Sequence, residues 1–249
     1  MAEFDSDGVT IRYYDHGSGE PIVLIHGFSS SFADNWERTG WLERLLSQGR
    51  RVIGLDCRGH GASDKPHDSA AYSREAMSGD VLRMMDHAGV ATTDIIGYSM
   101  GASIALDLLV HAPGRFRRAV LGGTAYEGSI NSSVMKAIAH ALASDDPSDQ
   151  TSPIVVGFRQ FAQSQGSDLK AMGACLGADR PRPDDAALAT IDIPVLVAVG
   201  AGDDLLRSPE KLAATMPGGR FVAIPGCDHL TVIADPRYME SILSFLQES

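Results

Sequence analysis

The sequence predicts an α/β domain with a mainly parallel sheet, and three observations support this fold class. Short, continuous runs of Val, Ile and Leu recur along the 249 residues, segments of helical periodicity separate them, and no repeat or low-complexity tract intervenes. Continuous apolar runs without alternation are typical of strands that are covered on both faces. Alternation of such strands with helices favours right-handed crossover connections. The runs are residues 9–14, 21–25, 51–55, 94–96, 118–121, 195–199 and 220–224.

Composition and charge exclude several other classes of protein. Hydrophobic residues make up 44% and charged residues 21% of the chain, values that are ordinary for a globular protein and unlike disordered or fibrous ones. The 32 acidic residues outnumber the 21 Lys and Arg, and the net charge is −11. Nucleic acids and anionic membranes are polyanions that this surface should repel, so we expect neither as a partner.

The cysteines and the N-terminal residues indicate the cellular compartment and whether a metal site is present. Cys57, Cys175 and Cys227 are odd in number and widely spaced, so they predict neither a disulfide framework nor a zinc site. The acidic, polar start lacks the basic and apolar regions of a signal peptide. Every apolar run is far shorter than the ~18 residues of a membrane span. We therefore expect a cytoplasmic location.

Local signals define the first strands and two of the helices. Runs 9–14 and 21–25 flank a Gly-Ser-Gly turn at residues 17–19, which predicts a hairpin. An apolar face over residues 77–88 predicts a helix that Ser73 caps and that ends at Gly89. Asp235 and Pro236 provide a cap and a first turn for a final amphipathic helix.

Residues 126–185 break the alternation. Clusters of Ser, Asp, Pro and Gly surround two short helical patches there, and no segment has a strand pattern. We interpret this region as a cap or lid inserted between two strands of a catalytic domain that comprises residues 1–125 and 186–249.

The most informative motif is Gly97-Tyr98-Ser99-Met100-Gly101, between an apolar run and a helical run. A serine on a tight strand-to-helix turn needs small neighbours, and the helix N-terminus then presents free N–H groups to an anion. This arrangement is a nucleophile elbow, with Ser99 as the candidate nucleophile.

A serine nucleophile needs a base, and the base needs an acid to orient it. His229 follows run 220–224, at the strand end where open parallel sheets carry ligands. Asp203 and Asp204 both follow run 195–199, and the spacing alone leaves the choice between them open. The order serine, acid, histidine is that of one hydrolase architecture.

An acyl-transfer site also needs two preorganised donors for the developing oxyanion. The segment His26-Gly27-Phe28 follows run 21–25, so its backbone is expected near the elbow. We predict the backbone N–H groups of Phe28 and Met100 as the donors, and a structural role for the His26 ring.

Together these motifs resemble the α/β-hydrolase fold superfamily, in its esterase-like branch with a short cap. The matching segments occur in the family's order between residues 22 and 229. They are His26-Gly27-Phe28, residues 56–64, residues 97–101, residues 200–203 and His229.

The resemblance implies an eight-stranded, mostly parallel sheet flanked by helices, a small helical cap inserted after the sixth strand, and no cofactor or metal. It selects Asp203 over Asp204 as the acid, and it assigns a loop-shaping role to residues 56–64. Dehalogenases and epoxide hydrolases of the superfamily use aspartate at the elbow, whereas this chain has Ser99.

The expected function is hydrolysis of a small-molecule carboxylic ester or lactone through an acyl-enzyme. Carbon–carbon bond hydrolases acting on diketones, perhydrolases and thioesterases share the triad and stay open as alternatives. A non-enzymatic ligand receptor is a further alternative, because a fold by itself does not establish a function.

Overall fold

The computed structural model describes residues 2–128, 130, 132–146 and 152–248. Eight strands form the main sheet, in the order β1-β2-β4-β3-β5-β6-β8-β10. β2 runs antiparallel to β1 and β4, and the other neighbouring pairs are parallel. This confirms the predicted fold class. The strands are β1 (Ala2–Ser6), β2 (Val9–His16), β3 (Pro21–Ile25), β4 (Arg51–Leu55), β5 (Thr93–Tyr98), β6 (Phe116–Gly122), β8 (Val195–Gly200) and β10 (Gly219–Ile224).

Helices flank the sheet, and a small second sheet lies apart from it. The second sheet pairs β7 (Glu127–Gly128) with β9 (Leu206–Arg207) in antiparallel fashion. The α-helices are α1 (Trp41–Ser47), α2 (Arg74–His87), α3 (Met100–His111), α4 (Ser132–Ala143), α5 (Pro153–Ser164), α6 (Leu169–Gly177), α7 (Asp185–Leu188), α8 (Pro209–Ala214) and α9 (Pro236–Gln247).

The central strands are buried on both faces, as their continuous apolar sequence predicts. In β3, Val23 and Ile25 belong to the core cluster that includes residues of α2 and α3. Ile22 and Leu24 belong to the cluster on the opposite face, with Trp41 and residues of α9. Full burial of one aliphatic side chain contributes about 1.5–3 kcal/mol, so both faces stabilise the sheet.

The predicted helix ends are confirmed. The Ser73 hydroxyl accepts a hydrogen bond from the N–H of Ala76 at 3.2 Å, and Gly89 follows α2 with a φ of 68°. Asp235 accepts from the N–H of Arg237 at 2.8 Å, which caps α9. These partners satisfy N–H groups that the first turn of a helix leaves free.

The predicted hairpin between the second and third strands is wrong. β2 and β3 each pair with β4, which lies between them. Gly19, in the connection between β2 and β3, is required for close packing and not for a hairpin turn. A Cβ there would lie 1.6 Å from the carbonyl oxygen of Gly49. The seven apolar runs correspond to seven strands of the sheet. The remaining strand is β1, in which buried and exposed residues alternate, so it forms no continuous apolar run.

Helices α4, α5 and α6 lie between β6 and β8, within the predicted cap. They share an apolar cluster that includes Ile138, Val155 and Met172. Helix α6 is not among the predicted helical patches. Its small residues allow close packing: a Cβ at Gly173 would lie 2.7 Å from the Ala139 carbonyl oxygen. Residues 129, 131 and 147–151 of the predicted cap, and residues 1 and 249 of the predicted catalytic domain, lie outside the described residues. The division into two units stays a prediction.

No helix in the described parts of the chain combines the length and the apolar character needed to cross a membrane.

Candidate active site

Ser99 lies on the turn between β5 and α3 with a φ of 53° and a ψ of −111°. A positive φ is strained for a residue with a side chain. The two flanking glycines are required by close backbone contacts. A Cβ at Gly97 would lie 2.2 Å from the Gly101 carbonyl oxygen, and one at Gly101 would lie 2.1 Å from that of Ile25. The motif therefore folds as the strained elbow that its residues predict.

The structure brings Ser99, His229 and Asp203 into one hydrogen-bonded chain. The His229 Nε2 atom lies 3.0 Å from the Ser99 Oγ, and the His229 Nδ1 atom lies 2.6 Å from an oxygen of Asp203. An ionised carboxylate only accepts hydrogen bonds, so Nδ1 carries the ring proton and Nε2 is left to accept from the serine hydroxyl. The Asp203 side chain is 1% exposed and that of His229 is 16% exposed.

Backbone contacts between two loops hold the acid and the base together. Gly202 donates its N–H to the carbonyl oxygen of Cys227 at 2.9 Å. A Cβ at Gly200 would lie 2.4 Å from that same oxygen. The loop after β8 can therefore approach the loop after β10 only because both positions are glycine, and this approach places Asp203 beside His229.

Two further aspartates, Asp204 and Asp228, are next to the acid and the base in sequence but have different surroundings. Asp204 is exposed, whereas the buried Asp203 is the aspartate bonded to the Nδ1 atom of His229. Asp228 accepts hydrogen bonds from the hydroxyl of Thr231 and from the N–H groups of Thr231 and Leu230, and these bonds lower its pKa. It thus stabilises the turn that carries His229.

The two predicted oxyanion donors lie near the elbow. Within the described residues, the N–H groups of Phe28 and Met100 donate to no protein acceptor, so both are free for a ligand. The Asn35 side chain accepts from the Gly27 N–H at 2.7 Å and positions the loop that carries Phe28. A Cβ at Gly27 would lie 3.5 Å from the Ser99 Cβ, which shows how closely this loop approaches the elbow.

The His26 ring has the structural role expected of it. Its Nε2 accepts from the Cys57 N–H at 2.9 Å, so its Nδ1 donates to the Gly27 carbonyl oxygen at 2.7 Å. Burial lowers the pKa of His26, which keeps the ring neutral. Its neighbour His60 is also buried, and burial lowers its pKa to about 3.

The segment at residues 56–64 shapes a loop, as expected. The carboxylate of Asp56 accepts hydrogen bonds from the N–H groups of Phe32 and Ala62 and from the hydroxyl of Tyr14. None of these contacts involves Ser99 or His229.

Tyr98 is a positioning residue that the sequence did not reveal. Its hydroxyl donates to the carbonyl oxygen of His229, and burial raises its pKa well above the usual range. Tyr98 thus ties the elbow to the loop of the base. It occupies a variable position of the motif, so no sequence signal marked it.

Ser99 opens into a cavity of about 900 Å³ between the sheet and the predicted cap. The predicted cap contacts the loop after β3 that carries Phe28, which we call the oxyanion loop. The hydroxyl of Ser167, in the cap, lies 2.9 Å from that of Ser29, in this loop. Leu205 and Leu230 line the cavity beside the acid and the base, and both are exposed. The site can therefore admit a small molecule with an apolar group next to His229.

The alpha/beta hydrolase fold family model matches residues 20–160, more than half of the 249 residues. The chain belongs to the α/β-hydrolase fold family.

Three similar proteins illustrate its relatives. The 2-hydroxymuconate semialdehyde hydrolase of Pseudomonas sp. (strain CF600) is 34% identical over 123 residues, which span 49% of this chain and 43% of that protein. A hydrolase from Pseudomonas aeruginosa PA01 superposes with a TM-score of 0.81 at 26% identity, over 99% of this chain and 98% of its own. A thermophilic esterase from Thermogutta terrifontis superposes with a TM-score of 0.77 at 26% identity, over 98% and 96% of the two chains.

Proposed function

We propose that this α/β hydrolase cleaves carboxylic esters or lactones of small to medium size through an acyl-enzyme intermediate. The observation that carries the proposal is the chain of two hydrogen bonds from Ser99 through His229 to Asp203. Each member has the neighbour that nucleophilic catalysis requires: a base for the hydroxyl, and a carboxylate for the base.

In the first half-reaction, the Ser99 oxygen attacks the carbonyl carbon and its proton moves to the Nε2 of His229. The negative charge that develops on the carbonyl oxygen is stabilised by the N–H groups of Phe28 and Met100. The carbon–oxygen bond to the alcohol then breaks, and His229 returns the proton to the leaving oxygen. Asp203 stabilises the imidazolium throughout.

In the second half-reaction, water replaces the alcohol. His229 accepts a proton from the water as its oxygen attacks the acyl carbon. The bond to Ser99 breaks, the serine regains a proton from His229, and the carboxylic acid leaves. The same five groups serve both halves, and no redox partner is needed.

The size of the cavity supports the small to medium substrate range. A volume of about 900 Å³ lies within the usual range for sites that enclose a small ligand. Each buried substrate methylene contributes about 0.8 kcal/mol, so kcat/KM should rise with acyl length until the chain meets the cap.

The similarity to the Thermogutta terrifontis esterase supports ester hydrolysis, and other relatives keep the alternatives open. Diketone carbon–carbon hydrolysis, perhydrolysis and thioester hydrolysis would use the same triad. They differ in how the cavity holds the substrate, and a panel of substrates separates them.

We further propose a cytoplasmic location and a small-molecule partner. The three cysteines are buried and unbridged, as is usual in a reducing compartment. The net charge of −11 disfavours binding to nucleic acids and anionic membranes.

The test is a panel of nitrophenyl esters, thioesters, lactones and vinylogous diketones, assayed with the wild type and with Ser99→Ala. We expect turnover of esters or lactones by the wild type and a loss of about 10³-fold or more in kcat for Ser99→Ala. Turnover of the diketone alone would establish the carbon–carbon alternative. Tight binding without turnover of any member would establish a receptor.

A further inference from the structure

The cavity wall contains a basic side chain that the proposed triad does not use. Within the described residues, Arg180 is the one basic residue of this wall that has no carboxylate within ion-pairing distance. The other arginines of the wall have acidic partners: Arg74 pairs with Asp107 at 2.9 Å, Arg182 pairs with Asp185 at 3.1 Å, and Arg38 pairs with Asp34.

The contacts of Arg180 leave most of its hydrogen-bonding capacity unused. One Nη atom donates to the Tyr72 carbonyl oxygen at 2.8 Å, and the other lies 3.9 Å from the Cys175 Sγ. A guanidinium group has five N–H donors, and neither contact neutralises its charge. A half-buried charge beside apolar groups is costly unless a counter-charge is present.

A second arginine lies two residues along the chain, but it is already engaged. The Arg182 guanidinium lies over the Tyr126 ring, pairs with Asp185 and has a buried Nη1 atom. Both arginines line the cavity, so Arg180 is the one of the two whose charge is left for a ligand.

This segment is anchored to the catalytic domain. Arg74 at the start of α2 donates to the Pro181 carbonyl oxygen, and Arg180 itself donates to Tyr72. The Arg180 guanidinium is therefore held in place before a ligand arrives, which lowers the ordering cost of binding.

Arg180 is also close to the reacting centre. Its guanidinium touches the Cys175 Sγ, which lies 3.8 Å from the Sδ of Met100, the residue after Ser99. The leaving alcohol must lie beside His229, where Leu205 and Leu230 line the cavity. The acyl part then extends away from His229, along the wall that holds Met100 and Arg180.

From this arrangement we infer that the substrate is an ester or lactone whose acyl part ends in a second carboxylate, which Arg180 binds. This inference rests on the proposed ester or lactone hydrolysis and specifies its substrate class. A guanidinium and a carboxylate match in charge and in fork geometry. Of the three described acids that line the cavity, Asp34 and Asp107 are paired with arginines. Glu127 is exposed, so water screens its repulsion.

The first test compares monoethyl adipate with ethyl hexanoate, which has the same acyl length without the distal charge. We expect the wild type to prefer monoethyl adipate, and Arg180→Gln to reduce the ratio of the two kcat/KM values by about 30-fold. Arg180→Lys keeps the charge without the fork and should give an intermediate ratio. Arg38→Gln, which removes a positive charge from another part of the wall, should leave the ratio unchanged.

The second test measures binding without turnover, by calorimetry with adipate and hexanoate. We expect adipate to bind more tightly than hexanoate and Arg180→Gln to weaken adipate by about 10-fold or more. Equal affinities for the two acids, or a ratio of kcat/KM values that Arg180→Gln does not change, would overturn the carboxylate site. Turnover of both esters without a preference for monoethyl adipate would refute the carboxylate site but remain consistent with a serine hydrolase. Adipate binding without turnover of either ester would keep the site and refute the proposed function.

Discussion

The elbow region and the cap segment are built in different ways. At the elbow, backbone touches backbone: Gly101 lies against Ile25, and Gly200 lies against Cys227. In the cap, helices α4–α6 are joined mainly by apolar side chains in a cluster of their own, with one close main-chain approach at Gly173. Main-chain contacts tolerate no added atom, whereas an apolar cluster tolerates many substitutions of similar volume.

This difference separates reaction chemistry from substrate choice. The atoms of Ser99, His229 and Asp203 are fixed by strands, glycines and a strained turn. The groups that would select a substrate, among them Arg180, lie in and after the cap segment. The chemistry should therefore be sensitive to single changes near the elbow, and specificity should respond to changes around the cap.

The largest effect is expected for the acid. Asp203→Asn should lower kcat by about 100-fold or more, because the amide cannot stabilise the His229 imidazolium and favours the wrong tautomer. Asp204→Asn, the adjacent control, should keep kcat within a few-fold of the wild type. Steady-state kinetics of both variants on one ester measure this. The opposite ranking would move the acid by one position.

A pair of glycines tests the contrast between main-chain contacts at the elbow and side-chain packing in the cap. Gly101→Ala should lower the free energy of unfolding by about 3 kcal/mol or more, because its Cβ would lie 2.1 Å from a backbone oxygen that cannot move aside. Gly157→Ala, in the cap helix α5, meets no atom within 4 Å and should stabilise by about 0.5–1 kcal/mol through helix propensity. Urea unfolding of the two variants gives both values. Equal effects would refute the contrast between the regions.

The sequence predicted the elbow well because its requirements are local. Glycine at 97 and 101, a strand before and a helix after are all visible in a few residues. The helix caps at Ser73 and Asp235 were predictable for the same reason. The choice of Asp203 needed the family resemblance, because the contact between the loops that carry Asp203 and His229 joins distant parts of the chain.

Other features depend on packing that a single sequence does not show. The hairpin prediction failed because β4 enters between β2 and β3, and local turn residues cannot reveal an inserted strand. Helix α6 has a capping residue, Asp168, and a short apolar stripe of Leu169, Met172 and Leu176, but the stripe spans only two turns among small residues and was overlooked. The isolation of Arg180 from the carboxylates of the described residues is visible only once the cavity is assembled.

An effect of intermediate size is expected on the stability of the folded state when the pH is lowered. Burial lowers the pKa of His60 in the folded state to about 3, whereas an unfolded histidine has a pKa near 6.5. The folded state therefore binds fewer protons, and its stability falls as pH drops from about 6.5 towards 3. The expected contribution of His60 between pH 7 and pH 5 is about 2 kcal/mol.

His60→Gln should remove that part of the pH dependence. Urea unfolding at pH 7 and pH 5 measures it, and His87→Gln, at an exposed position, is the control. A pH dependence in His60→Gln as steep as in the wild type would contradict the assignment of His60 as a buried neutral ring.

The smallest effect is expected where the two regions meet. Ser167→Ala removes the hydrogen bond from the cap to Ser29, beside the oxyanion loop. We expect a decrease of about fivefold in kcat/KM, since one neutral hydrogen bond contributes about 1 kcal/mol. Ser164→Ala, whose hydroxyl donates only within its own helix, is the control. Identical kinetics for the two variants would show that this contact does not position the loop.

The most direct test of the account is the covalent state of Ser99. A fluorophosphonate probe followed by peptide mass spectrometry should place a single phosphonyl group on Ser99 in the wild type. The rate of labelling should fall by about 100-fold or more in His229→Ala, because the hydroxyl loses its base. Labelling at another residue, or equally fast labelling of Ser99 without His229, would contradict the proposed serine hydrolase mechanism.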